Sequence, residues 1–271
     1  MKKIYMISIL CVVFIVAITA TTSAGPTAFE VVEKMDTRED GESLTTDTLM
    51  VLINKKNQKR IRNIKNIRKD YGPDTKGIIF FLSPADVRNT AYMSYDWDNA
   101  EKEDDSWLYL PALQKVKRVA SSDKSGSFMG SDFTYSDING IEIKDWNYTF
   151  LKENDKVDGF DTWVVQGLPK KESKQKILEE TGYLKSILWI RKDNHMLVKG
   201  KYWVKQGRKI KYFKAADIKK VDDIWTAHEL TMITTAKGKV AHSSVLKFSN
   251  VRYNTTIDDT TFTTRRMERG L

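Results

Sequence analysis

The chain has 271 residues, 41% of them hydrophobic, with 45 Lys and Arg against 36 Asp and Glu and a formal charge of +9. That length buries a sizeable core without covalent staples. Its single cysteine, Cys11, excludes an intrachain disulfide and a zinc–thiolate cage.

Residues 1–24 are set apart from the fold. Lys2 and Lys3 precede an apolar run from Ile7 to Ala20, and small residues, "TTSAG", follow it. This is the form of a secretory signal peptide, cleaved after Ala24 with Thr22 at the −3 position. The run is shorter than the roughly 20 residues a membrane-spanning helix needs. Cys11 lies inside the run rather than after it, which does not suit an acylated lipoprotein cysteine. Cleavage leaves Gly25–Leu271 without cysteine and with a charge of +7, because Lys2 and Lys3 go and residues 1–24 hold no acid. In an exported protein a basic balance points to anionic head groups or an acidic partner more than to nucleic acid. Plain solubility explains it equally well. Five prolines and no Ser/Gly-rich linker predict one domain over 25–271.

The first predicted element is a helix in "TAFEVVEKM". Thr27 and Glu30 have the spacing of a capping box, and Ala28, Val31, Val32 and Met35 share one face. The rest reads mainly as strands. Runs rich in β-branched and aromatic residues occupy 48–54, 77–82, 90–95, 106–110, 146–151, 162–167, 183–190, 195–204, 209–218, 225–234 and 243–253. Turn sequences such as "NKKN", "YGPD", "KDNH" and "AKGK" separate them. About eleven strands at short spacing predict a mainly β (α+β) fold, one large antiparallel sheet that curls. In "VLKFSNVRY", Leu246 and Phe248 fall on one face, and Val245, Lys247 and Val251 on the other. Strands 48–54 and 77–82 are apolar on both faces, so both sides of the sheet need cover there. A curled sheet with an apolar inner face is a container for an apolar ligand or simply a core.

Segment 55–69 is the most basic, with eight Lys and Arg, Arg60 and Arg62 among them, and no acid. Isoleucines every third residue predict a strand with a bulge. It reads as a surface for lipid phosphates or an acidic partner, or as an edge strand that charge keeps from aggregating.

Motifs for catalysis are missing. His195, His228 and His242 stand far apart, without HxH or HExxH spacing, so no metal site is predicted. No GxSxG, P-loop or GxGxxG occurs. "GSFMGSD" (126–132) lacks the Lys-Ser/Thr ending of a phosphate loop. The carboxylate pairs Asp104/Asp105, Asp222/Asp223 and Asp258/Asp259 read as turns. Seven tryptophans and nine methionines provide large, adaptable apolar surface for core or pocket.

Five pieces in order carry a resemblance: "WLYLPALQKVKRV", "GSFMGSDFTYSDI", "FFLSPADVRNTAYM" (80–93), "DDIWTAHELTM" (222–232) and "VLKFSNVRYN…DDTTFTTRRMERG" (245–270). Together they resemble the outer-membrane lipoprotein-sorting protein family of LolA-like periplasmic carriers, the subfamily associated with RND/MMPL-type exporters. Asn89 departs from the glycine expected there, but Asn also tolerates a left-handed backbone. The resemblance implies a half-open curled sheet around a hydrophobic cavity, with short lid helices. It implies a periplasmic carrier of lipid or acylated protein, without a cofactor, taking cargo from an inner-membrane transporter and touching the membrane surface transiently. The candidates for cavity and flap are Trp107, Tyr109, Phe128, Met129, Met93, Phe133 and Trp189. Those for head-group or partner contact are Lys115, Lys117, Arg118, Arg60 and Arg62. "SSDKSGSFMGSD" is then a flap with Phe128 and Met129 at its tip, or a loop that plugs the core permanently. The other functional classes are an accessory subunit of a transporter and an envelope hydrolase.

Overall fold

The computed structural model describes residues 25–99, 102–205 and 208–271; the signal peptide expected over residues 1–24 lies outside them. The described residues form thirteen strands: β1 (Ser43–Asn54), β2 (Lys59–Tyr71), β3 (Asp74–Ser83), β4 (Ala91–Asp96), β5 (Asp105–Leu110), β6 (Lys115–Arg118), β7 (Trp146–Val157), β8 (Phe160–Pro169), β9 (Tyr183–Arg191), β10 (Leu197–Val204), β11 (Lys209–Val221), β12 (Ile224–Ala236) and β13 (Lys239–Tyr253). Four short helices accompany them: α1 (Ala28–Asp36), α2 (Tyr135–Asn139), α3 (Lys174–Glu180) and α4 (Thr264–Arg269).

All strands belong to one open antiparallel sheet, in the order β6-β5-β4-β3-β2-β1-β13-β12-β11-β10-β9-β8-β7. The chain walks outward from β1 to one edge, β6. It restarts at the far edge, β7, and walks back until β13 closes on β1. Nearly every step is a hairpin. Asp158–Gly159, Asp222–Asp223 and Lys237–Gly238 each form a two-residue turn with both residues at positive φ, the twist that suits a tight hairpin. Asn89 has φ of +63°, the left-handed backbone expected of it.

The strand count exceeds the expected eleven because the basic segment and 115–118 each form a strand of their own. β2 carries an irregularity in its pairing with β3 between Asn63 and Ile64. It is not an edge strand: β1 and β3 flank it on both sides.

α1 starts as its sequence dictates. Thr27 Oγ1 accepts from Glu30 N at 3.2 Å, and Glu30 Oε2 accepts from Thr27 N at 2.7 Å. Two donors that would otherwise lack partners are satisfied. Ala28, Val31 and Val32 are buried against the sheet.

The topology forces one long connection. To pass from β6 to β7, residues 119–145 must cross from one edge of the sheet to the other, and they do so over its concave face. Two cores result. The concave one contains Met50, Ile64, Leu188, Met232 and Leu246 from the sheet, Val31 and Val32 from α1, and Phe128 and Phe133 from the crossover. The convex one contains Ile67, Ile78, Phe80, Ala91, Met93 and Tyr109, covered by Ile257, Phe262 and Met267 from the C-terminal segment.

Candidate functional site

Between the concave face and the crossover lies a cavity of about 430 Å³. Successive strands contribute to its floor by the two-residue alternation of a sheet: Thr48 and Met50, Ile64 and Asn66, Leu246 and Phe248, Leu230 and Met232, Ser186 and Leu188, Trp146 and Tyr148. The crossover supplies the roof with Phe128, Phe133, Ile138, Ile141 and Ile143, and α1 adds Met35 and Asp36. The wall is mostly apolar. Packed interiors hold few voids larger than a water molecule, and this volume lies in the range of small-molecule sites. A glycine seats one wall residue: a Cβ on Gly200 would stand 2.7 Å from the ring of Tyr202, which lines the cavity.

The roof is tied down. Phe128, 1% exposed, packs edge-on to Tyr92 and Tyr135, each with ring centroids 5.4 Å away. Its N–H donates to Phe133 O at 2.8 Å, which pinches the tip into a tight loop. Met129 and Gly130 close that loop at φ of +50° and +77°; for a methionine this backbone carries strain. Arg62 reaches up from β2 and donates to Met129 O at 2.5 Å. Burial pulls its pKa down from the usual guanidinium value.

A second tie joins crossover to sheet. The buried Asp132 carboxylate accepts from Ser244 Oγ at 2.7 Å, and His242 Nδ1 lies 2.6 Å from the same oxygen. Asp132 N donates back to Ser244 Oγ at 2.9 Å. Ser, His and Asp meet here, but not in a hydrolase's order. The serine hydroxyl donates its hydrogen bond to the aspartate, whereas an activated serine would donate to the imidazole. A third tie is Asp137, which accepts from Tyr183 OH at 2.8 Å, with Lys211 Nζ 3.7 Å away. Burial holds the Tyr183 phenol well above its ordinary pKa, with Asp137 reinforcing it. Burial lowers that of Lys211, against the pull of Asp137.

The residues singled out in the sequence fall in three groups. Phe128 and Phe133 line the cavity, and Met129 packs against the concave core. Met93, Trp107 and Tyr109 lie on the other face, in or against the convex core. The alternation that makes Trp107 and Tyr109 neighbours turns both away from the cavity and leaves Leu108 toward the concave side. Trp189 likewise alternates with Leu188, which takes the cavity side. Trp189 Nε1 donates to Asp155 Oδ2 at 3.1 Å, and Lys199 Nζ sits 4.6 Å over its ring. Lys115, Lys117 and Arg118 are exposed on edge strand β6, with Arg118 paired to Asp105. Arg60 is exposed, but Arg62 is only 8% exposed. Arg62 is a roof anchor rather than a surface contact, because its position on β2 points under the crossover. The sequence reading missed Trp146, Tyr148, Phe213 and Leu230 as wall residues. Their signal was the strand period on β7, β11 and β12, to be carried across the whole sheet once its pairing is known.

A family model described as that of an uncharacterized protein matches residues 73–269. No curated protein matches the chain. Among solved structures, a domain from Vibrio parahaemolyticus named for outer membrane lipoprotein sorting is 28% identical, with a TM-score of 0.77, over 89% of this chain and 98% of that one. A DUF1329 family protein from Desulfovibrio piger is 27% identical, with a TM-score of 0.78, over 89% of this chain and 97% of that one. A LolA superfamily protein from Nitrosomonas europaea shares the fold at 18% identity and a TM-score of 0.65, over 89% of this chain and 99% of that one. The chain belongs to the family whose model spans 73–269, and its structural neighbours are proteins named for outer-membrane lipoprotein sorting, DUF1329 and the LolA superfamily.

Proposed function

We propose that the protein is a periplasmic carrier that holds acyl chains of a lipid or lipoprotein in the concave cavity and works with an RND/MMPL-type inner-membrane transporter. The observation that carries this reading is the cavity itself: about 430 Å³, walled mainly by apolar side chains and roofed by a segment the topology obliges to cross it. The relatives named for lipoprotein sorting support it. No helix among the described residues is long and apolar enough to cross a membrane, and the signal-peptide form of residues 1–24 supports export.

Cargo enters when the flap at 121–132 lifts from Arg62 and Ser244, and burial of the chain drives binding at about 25 cal/mol per Å² of apolar surface. Lys115, Lys117, Arg118 and Arg60 remain exposed for contact with head groups or the transporter during transfer. The test is titration with a fluorescent fatty-acyl probe. Wild type binds one probe per chain. Leu230→Trp, which fills the cavity from its floor, lowers affinity at least 10-fold with Tm nearly unchanged. Equal affinity in the two proteins contradicts the proposal.

A further inference from the structure

The C-terminal segment covers only one end of the convex face. α4 packs on β4, β5 and β6, and no residue of β9, β10 or β11 belongs to the convex core beneath it. At that other end, Ser186 and Leu188 of β9 line the cavity, so alternation turns Lys185, Ile187 and Trp189 to the convex side. Cross-strand pairing carries the pattern onward. Lys199 stands beside Trp189, Lys201 beside Ile187, and Trp203 beside Lys185; on β11, Tyr212 stands beside Lys201 and Ile210 beside Trp203. The aromatic and isoleucine side chains of this patch are half-buried, yet none packs against either hydrophobic core.

The charge on this patch is one-sided. Lys199 Nζ lies 4.6 Å over the Trp189 ring. Lys185 and Lys201 share Trp203, at 5.0 and 4.6 Å from its centroid. The carboxylates at the border are already engaged: Asp155 by the Trp189 indole at 3.1 Å, Asp158 by Lys214 at 3.0 Å and Glu229 by Lys247 at 3.1 Å. Among the described residues, no ion pair involves Lys185, Lys199 or Lys201. Two ammonium groups gathered on one indole repel each other. The ring offsets part of that repulsion, and an anion set before the two lysines relieves the rest.

We propose that this convex patch docks the protein on an anionic lipid bilayer. The lysine stems run along the aromatic rings and turn their ammonium groups outward to lipid phosphates. Trp189, Trp203 and Tyr212 settle at head-group level, where rings with one polar tip partition. The composition favours a bilayer over a protein, because lysine is depleted from the cores of protein interfaces. It also argues against a second copy of the chain, since two such patches repel one another. The proposal goes beyond the carrier reading and does not need it: the patch lies across the sheet from the cavity. Docking on this side leaves the crossover, on the opposite face, free to open.

The experiment is flotation of the purified chain with vesicles of phosphatidylcholine alone, or of phosphatidylcholine with about one-third phosphatidylglycerol. Wild type binds the anionic vesicles at least 10-fold more tightly and detaches in about 0.5 M salt, where charges are screened within about 5 Å. The triple variant Lys185→Gln, Lys199→Gln, Lys201→Gln loses at least 10-fold of that affinity. A matched triple variant, Lys56→Gln, Lys171→Gln, Lys174→Gln, removes the same charge at exposed positions outside the patch and changes binding far less. Trp203→Gln weakens binding several-fold with the lysines intact. Both triple variants keep the wild-type Tm. Equal losses in the two triple variants show that net charge alone drives adsorption and overturn the proposal. A wild-type chain that ignores anionic vesicles overturns it too, and leaves the patch to an acidic protein partner.

Discussion

The two faces of this sheet obey the same alternation and end in opposite states. On the convex side of β2–β5, a short C-terminal strap lays Phe262 and Met267 directly onto Ile78, Phe80 and Met93, and these side chains are almost wholly buried. Lys69 binds the strap through Ile257 O at 3.1 Å and Asp259 Oδ1 at 2.7 Å. On the concave side a longer cover, residues 119–145, is held at separate points by Arg62, Ser244 and Tyr183, and a cavity remains beneath it. The difference lies in the covers. The strap leaves β13 and crosses the convex face to lie directly on β4, β5 and β6, whereas the crossover must reach from β6 to β7 and bridges the hollow of the curl. One face is filled by the protein's own side chains, and the other keeps a cavity beneath its cover.

Truncation on each face sharpens that contrast most. Met267→Ala removes a fully buried side chain from the filled core and costs about 3 kcal/mol, a fall in Tm of roughly 10 °C; the folded variant still binds the acyl probe. Leu230→Ala, on the wall of a space already open, costs about 1 kcal/mol. Equal losses in thermal melts would erase the distinction between the faces. Removing an anchor comes next. Arg62→Ala gives up a charge-assisted bond worth about 2 kcal/mol, and hydrogen exchange speeds up at residues 121–132 while β8 and β9 keep their protection. Uniform acceleration across the sheet would show that Arg62 serves global stability instead of the roof.

The smallest expected effect concerns pH. Asp96 ends β4. The surrounding protein and then the neighbouring Asp104 and Glu142 push its pKa from 3.8 up to about 7, against the pull of Lys124. A carboxyl raised in the folded state is penalised once it must ionise. The penalty is absent below about pH 4, grows as pH rises, and is complete above about pH 7. Part of the side chain reaches solvent, which screens the penalty. Asp96→Asn therefore raises Tm by about 2 °C at pH 8 and leaves it unchanged at pH 4. A gain confined to low pH would reverse the sign and refute the assignment.

Much of the fold was legible because it rests on local patterns. The capping box of Thr27 and Glu30, the Gly-containing turns and the aromatic β-branched runs each specify their element without tertiary help. The pairing of Leu246 with Phe248 on one face was equally readable. The site was less so, for a physical reason. Alternation tells which residues share a face, as with Trp107 and Tyr109, but not which face curls inward; that depends on the whole sheet and on what covers it. Arg62 was hidden for the same reason, as one of eight bases in its segment. Asp132, in a flexible-looking Gly/Ser stretch, gave no local sign that it would bond to Ser244, over a hundred residues away.

Native mass spectrometry of the protein purified without detergent, followed by lipid extraction, tests the central claim most directly. One acyl-bearing molecule per chain is expected, lost in Leu230→Trp. A clean unliganded mass that does not change on adding lipids or a lipopeptide would contradict it.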